Sequence, residues 1–154
     1  MTHGRFRTRT SARDDYDDFV DGYITAMLWS TNDESDPNTG GDPLDKNYSR
    51  SDLAPEALKK IKIDCAKFFK NNRRDLRLYC DNVVRHSDGS CMEYAGHDFW
   101  LTRCGHGCGF WDRDGVGASG RGEAPVGLGK RLTDAAHKMG EVWPYVADGK
   151  IYVQ

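Results

Sequence analysis

The sequence predicts an α+β domain in which a small antiparallel sheet, made of two β-hairpins, packs with three to four helices. Three observations predict it. Four stretches repeat their apolar residues every three or four positions, which is the helical period. Two stretches alternate their side chains around glycine-bearing turns, which is the hairpin pattern. The 154 residues contain no internal repeat and suit one domain. The resulting order, α-α-α-β-β-α-β-β, places a short sheet under a helical cover.

Taken in order, residues 1–13 carry Arg5, Arg7, Arg9 and Arg13 and no acid. They read as a flexible basic N-terminal arm ahead of a single domain at 14–154. Such an arm either touches phosphates or is a frayed, solvated terminus. Residues 14–30 follow as an amphipathic helix with Tyr16, Phe19, Val20, Tyr23, Met27 and Leu28 on one stripe. Its Asp14, Asp15, Asp17 and Asp18 suit the positive end of the helix dipole better than a metal site. Residues 30–52 are turn-rich and aperiodic, a long loop. The next helix starts near Ser51 or Asp52 as cap with Pro55 in its first turn, and it buries Leu58, Ile61, Cys65, Phe68 and Phe69. Lys59, Lys60, Lys62, Lys67 and Lys70 mostly fall outside that stripe, as a solvated face or as a basic surface for nucleic acid. Leu76, Tyr79, Cys80, Val83 and Val84 mark a third helix, broken by the Ser-Asp-Gly-Ser at 87–90. Residues 114–126 are Gly-rich and lack a Walker-type ending. The final helix buries Leu128, Leu132, Ala135 and Met139, with Gly140 as its cap and His137 toward solvent. Residues 141–153 close the chain as two strands turning at Asp148–Gly149, with Pro144 confining its strand to an edge or a bulge.

The central segment, GHDFWLTRCGHGCGFWDR at 96–113, holds most of the chemistry. Its halves, 97–103 and 108–113, read as strands of a hairpin turning at Gly105–His106. This register places Phe99, Leu101 and Phe110 on one face. Trp100 and Trp111 share the other, with Asp98 opposite Arg113. One aromatic face becomes core. The second is either covered by a helix or presented to a partner. Trp100, Arg103, His106, Trp111 and Arg113 are therefore the candidate binding residues, since Trp and Arg anchor most binding hot spots.

Cys104, His106 and Cys108, with Cys91 or His97, form a loose zinc-type set, but the spacing is not a zinc signature. A Cys–His nucleophilic pair, or a metal-dependent nuclease built on His97, Asp98, His106 and Asp112, matches no motif with known mechanics. No catalytic residue, resident metal or cofactor is assigned. Five cysteines without a secretion signal argue against a disulfide framework. A net charge of −2 and a mean hydropathy of −0.75 favour neither membrane nor nucleic acid as a bulk partner. They suit a soluble cytoplasmic protein.

The central block resembles that of a family of small bacteriophage proteins of unknown function, which carry a GHDFWLTR-x-GHG-x-GFWDR block. The helix LGKRLTDAAHKMGE, the terminal Tyr-Val-x-Asp-Gly-Lys-Ile-Tyr pattern, and the earlier DGYITAMLWS, GGDPLDKNY and APEALKKIKIDCAKFF are similar to that family as well. The resemblance covers residues 19–154. In the family, residues such as Asn and Ala stand where this chain has Cys104 and Cys108, and 114–126 looks like an insertion. The resemblance implies a phage origin and the host cell cytoplasm as setting, and that context together with the two-faced aromatic hairpin leads to the expectation of a non-enzymatic accessory protein. It would act by binding a host or phage protein, in the manner of an inhibitor of a host antiviral defence system (anti-CRISPR or anti-restriction type). The alternatives are a nucleic-acid-binding protein using the basic arm and the aromatic hairpin, and a small metal-dependent hydrolase or nuclease.

Overall fold

A computed structural model describes residues 12–38, 41–83, 89–106, 109–112 and 127–154. Six helices and one two-stranded sheet follow in the order α1 (Ala12–Ser30), α2 (Leu44–Asn47), α3 (Pro55–Asn71), α4 (Arg73–Asn82), α5 (Cys91–Arg103), α6 (Leu128–Lys138), β1 (Pro144–Ala147) and β2 (Lys150–Val153). Short 3-10 turns lie at Arg50–Asp52 and Phe110–Asp112. Among the described residues the fold is mostly helical with one small antiparallel sheet, broadly α+β, and that sheet is a single hairpin rather than two.

The central hairpin is corrected. Residues 97–103, read as a strand, belong to α5, and Phe110–Asp112 is a 3-10 turn. Ser90 caps α5: its hydroxyl accepts from the Glu93 N–H at 3.1 Å, and the Glu93 carboxylate accepts from the Ser90 N–H at 3.1 Å. This reciprocal box satisfies two of the helix's orphan donors. At the other end Gly105 adopts φ +74°. Its N–H bonds to Thr102 O at 3.2 Å and the His106 N–H to Leu101 O at 2.8 Å, a Schellman stop. The glycine read as the first residue of a hairpin turn thus supplies a left-handed conformation, but to end a helix.

α5 is the pillar of the core. Ala95, Phe99, Trp100 and Leu101 are buried, as are the polar Asp98, Thr102 and Arg103. It crosses α1 backbone to backbone at two glycines. A Cβ at Gly96 would lie 1.9 Å from Phe19 O, and one at Gly22 would lie 1.8 Å from Glu93 O. No other residue permits that approach. Around the crossing an aromatic cluster closes. Phe68 of α3 stacks on Phe99 at 4.1 Å, Phe19 stacks on Phe99 at 5.8 Å, and Tyr23 meets Trp100 edge-on at 5.3 Å. Phe110 joins from the 3-10 turn, edge-on to Tyr79 at 5.5 Å. Thr102 ties that turn to α5 by accepting from the Phe110 N–H at 3.0 Å.

The other helices form where the periodicity places them. Phe19, Val20, Tyr23, Met27 and Leu28 of α1, Ile61, Cys65, Phe68 and Phe69 of α3, and Leu128 and Leu132 of α6 are buried. Gly140 ends α6 at φ +78°. The α3 cap differs from the reading: Ala54 precedes Pro55, while Ser49 and Asp52 form their box one turn earlier, around Arg50–Asp52. The loop at 30–52 also contains α2. A disulfide joins Cys80 of α4 to Cys91 of α5, Cα to Cα 5.4 Å apart, against the expectation of unpaired cysteines. The arm at 1–11, the Gly-rich segment 114–126 and Arg113 lie outside the described residues. No helix among the described residues is long and apolar enough to cross a membrane.

Candidate functional site

The candidate binding residues do not share one face. Trp100 is buried, and its indole N–H donates to Ser30 Oγ at 2.7 Å, which donates in turn to Ala26 O at 2.7 Å. Its polar edge is thus satisfied inside the fold. Arg103 is buried as well. Its Nε donates to Gly140 O at 2.8 Å and its Nη2 to Met139 O at 3.1 Å. Its Nη1 donates to Tyr23 Oη and Asp64 Oδ2, each at 3.0 Å. Its guanidinium also lies 5.4 Å from the centre of the Phe99 ring. One side chain therefore ties α5 to α1, to α3 and to the end of α6. Trp100 and Arg103 are both almost wholly buried, because the helix that carries them runs through the core rather than along a sheet face. His106 is exposed. Trp111 is 51% exposed on the 3-10 turn. Arg113 lies outside the described residues.

A groove of about 570 Å³ opens where α5 ends. It is lined by Trp100 and Cys104, by residues from the end of α1 and the turn after it (Ser30 to Asn32, Glu34 and Ser35), and by β1 with its approach. His106, Glu34 and Glu141 stand at its exposed margin. Trp143 is 60% exposed and Tyr145 45% exposed, and both line it. The hairpin's register explains their placement. β1 pairs antiparallel with β2, Tyr145 opposite Tyr152 and Val146 opposite Ile151. Successive side chains alternate, so Ile151 points into the core at 0% exposure while Trp143, Tyr145 and Tyr152 share the outer face. Tyr145 stacks on Tyr152 at 5.6 Å. The turn is tight, with Asp148 at φ 52° and Gly149 at φ 75°.

Cys104 supplies a thiol to the groove lining. Cys104 accepts no activation there: burial pushes its thiol above the usual range, and its Sγ lies 3.8 Å from Val142 O. Of the zinc-type set, Cys91 is held in the disulfide and Cys108 lies outside the described residues. Of the nuclease set, Asp98 is buried inside the fold and accepts from the Tyr79 hydroxyl at 2.6 Å. Among the described residues no three His, Cys, Asp or Glu side chains cluster as metal ligands.

Sequence reasoning found the terminal hairpin but missed its aromatic face as a site. The signal was present in Trp143-x-Tyr145, two aromatics at strand spacing on an edge strand whose turn was legible. No protein-family model, curated protein or solved structure matches the chain.

Proposed function

We propose that the protein is a non-enzymatic accessory protein that works by binding another protein through the groove beside β1. The observation that carries this reading is the exposure of Trp143 and Tyr145 together at its mouth. Exposed apolar patches rimmed by polar groups mark interaction sites, and Trp and Tyr are enriched in binding hot spots. The phage-like sequence supports a setting in the cytoplasm of an infected host cell, with a host or phage protein as partner and a host antiviral defence as the process opposed.

The test is affinity purification from infected cells with the natural chain and with a Trp143→Ala, Tyr145→Ala variant, followed by titration of the purified partner. A hot-spot pair costs about 2 kcal/mol or more, a loss of roughly thirtyfold or greater in affinity. A partner held equally by both proteins ends the reading.

A specific observation favours nucleic-acid binding as the second reading. Lys59, Lys62, Lys67, Lys70, Arg74 and Arg77 are exposed along α3 and α4, and none forms a salt bridge among the described residues. Lys60 differs, lying 3.6 Å from Asp64. This reading requires affinity for an oligonucleotide that falls steeply with salt and weakens when Lys62 and Lys67 become Ala. Salt-insensitive or absent binding removes it.

A further inference from the structure

We infer that the outer edge of β1 docks an extended, arginine-bearing segment of the partner protein, which joins the sheet as a third strand. This rests on the groove reading above and names the chemistry of its occupant.

The register identifies the open backbone groups. Trp143 and Gln154 exchange both of their hydrogen bonds, at 3.0 and 2.9 Å. In an antiparallel ladder bonded pairs alternate with non-bonded ones, so Tyr145–Tyr152 is the next bonded pair and Pro144 and Val146 turn their backbone groups away from β2. The same alternation turns Ile151 outward on the far side, where its carbonyl accepts from the Ala54 N–H at 2.9 Å. The chain itself covers that edge of the sheet. On the β1 edge, the Val146 N–H and C=O have no backbone partner among the described residues. Pro144 and Val146 both line the groove. Open strand edges are templates for another strand, and peptide recognition by strand addition exploits them.

The side chains around the edge select a cation. Glu34 and Glu141 are exposed at the groove, and among the described residues no lysine or arginine lines it. The open faces of Trp143 and Tyr145 attract a cation through the ring quadrupole. Arginine fits better than lysine, because its planar guanidinium stacks on an aromatic ring while forking to a carboxylate. An extended segment presents alternate residues to one face, so arginines at every second position meet the aromatic side of β1.

The test uses the full chain and a short fluorescein-labelled peptide alternating valine and arginine, read by fluorescence anisotropy. Two further peptides carry glutamate in place of arginine, or N-methyl groups on the backbone amides of one edge. The arginine peptide is expected to bind and the glutamate peptide not to. N-methylation and Val146→Pro are each expected to weaken binding about tenfold, the equivalent of one docking hydrogen bond. Proline is tolerated on an edge whose N–H faces outward. If Val146→Pro nevertheless fails to fold, the N-methylated peptide carries the test alone. Equal binding of the arginine and glutamate peptides, or an arginine peptide indifferent to N-methylation, overturns the inference. Loss of the cellular partner by Trp143→Ala, Tyr145→Ala with no binding of the arginine peptide leaves the groove reading standing and overturns this one. Retention of the partner by that variant overturns the groove reading itself.

Discussion

Arg103→Ala tests the assignment of Arg103 to the core. The guanidinium side chain is 2% exposed and donates four hydrogen bonds, to Gly140 O, Met139 O, Tyr23 Oη and Asp64 Oδ2. Truncation strands two carbonyls, a buried phenol and a carboxylate that is 16% exposed. Adding four charged hydrogen bonds separately overshoots, because they share one desolvation cost. Breaking a buried ion pair from one side costs about 3–5 kcal/mol. Lys60, 3.6 Å from Asp64, retains part of the compensation, which places the expected loss near the lower end, about 3 kcal/mol. For a domain of this size each kcal/mol moves Tm by about 2–4 °C, so Tm falls by roughly 10 °C. Urea denaturation followed by far-ultraviolet circular dichroism measures it. Arg103→Lys keeps the charge but loses the fork, and it is expected to recover less than half of the loss. A cycle with Asp64→Asn should return a coupling of about 1 kcal/mol or more. A loss below about 1 kcal/mol for Arg103→Ala, a size typical of surface substitutions, refutes the reasoning.

Four further outcomes are expected. Gly96→Ala drives a Cβ against Phe19 O and should cost about 3 kcal/mol, seen as a lower urea midpoint; an unchanged midpoint means that α1 and α5 do not cross there. Reducing the Cys80–Cys91 bond frees a loop of sequence separation 11 and should cost roughly 3 kcal/mol by chain entropy, read as a fall in Tm with reductant that Cys80→Ser abolishes. Burial raises the Cys104 thiol, so its thiolate fraction is small at neutral pH and grows only as pH climbs past the usual thiol range; its reaction with Ellman's reagent, taken as the difference from Cys104→Ser, should still be accelerating above pH 9, and a plateau by pH 8 contradicts the burial. Trp143→Ala removes a side chain 60% exposed and should change stability by no more than about 0.5 kcal/mol in thermal melts, whereas Trp100→Ala should cost about 3–5 kcal/mol.

What was legible in the sequence follows from how each element is buried. α1, α3 and α6 each bury one face, so their apolar residues recur at helical spacing and the reading locates them. The terminal hairpin announced itself through Asp148–Gly149, where two successive residues need positive φ. α5 gave no such signal. It is covered on nearly every side, so Ala95, Phe99, Trp100, Leu101, Thr102 and Arg103 leave no polar face to set a period. A run of aromatic and β-branched residues ahead of a glycine then imitates a strand. The one local clue was Ser90-x-x-Glu93, the capping-box pattern, which fixes a helix start whatever follows it. The disulfide was hidden for a different reason: Cys80 and Cys91 meet only because α4 and α5 pack at that end.

The chemically rich block at 96–113 lends Trp100, Cys104 and His106 to the candidate groove, but the groove's exposed aromatics, Trp143 and Tyr145, come from outside it. Trp, His, Asp and Arg gathered in eighteen residues invite a functional reading. Yet a pillar helix needs such residues for its own reasons. It must fill a large volume, which Phe99 and Trp100 do, and it must join elements that approach it from several directions, which Arg103 does with a five-donor fork. Tyr79 and Asp98 satisfy each other where α4 meets it. An exposed binding face works under the opposite constraint, since it must stay apolar in water without help from neighbours. The chain meets that constraint at and just before β1 with Trp143 and Tyr145, beside a hairpin whose other face is anchored by Ile151 of β2 and whose turn is tight. A rigid aromatic pair loses little entropy on contact, so on the proposed reading two residues in plain sequence would carry more of the binding energy than the block that first draws the eye.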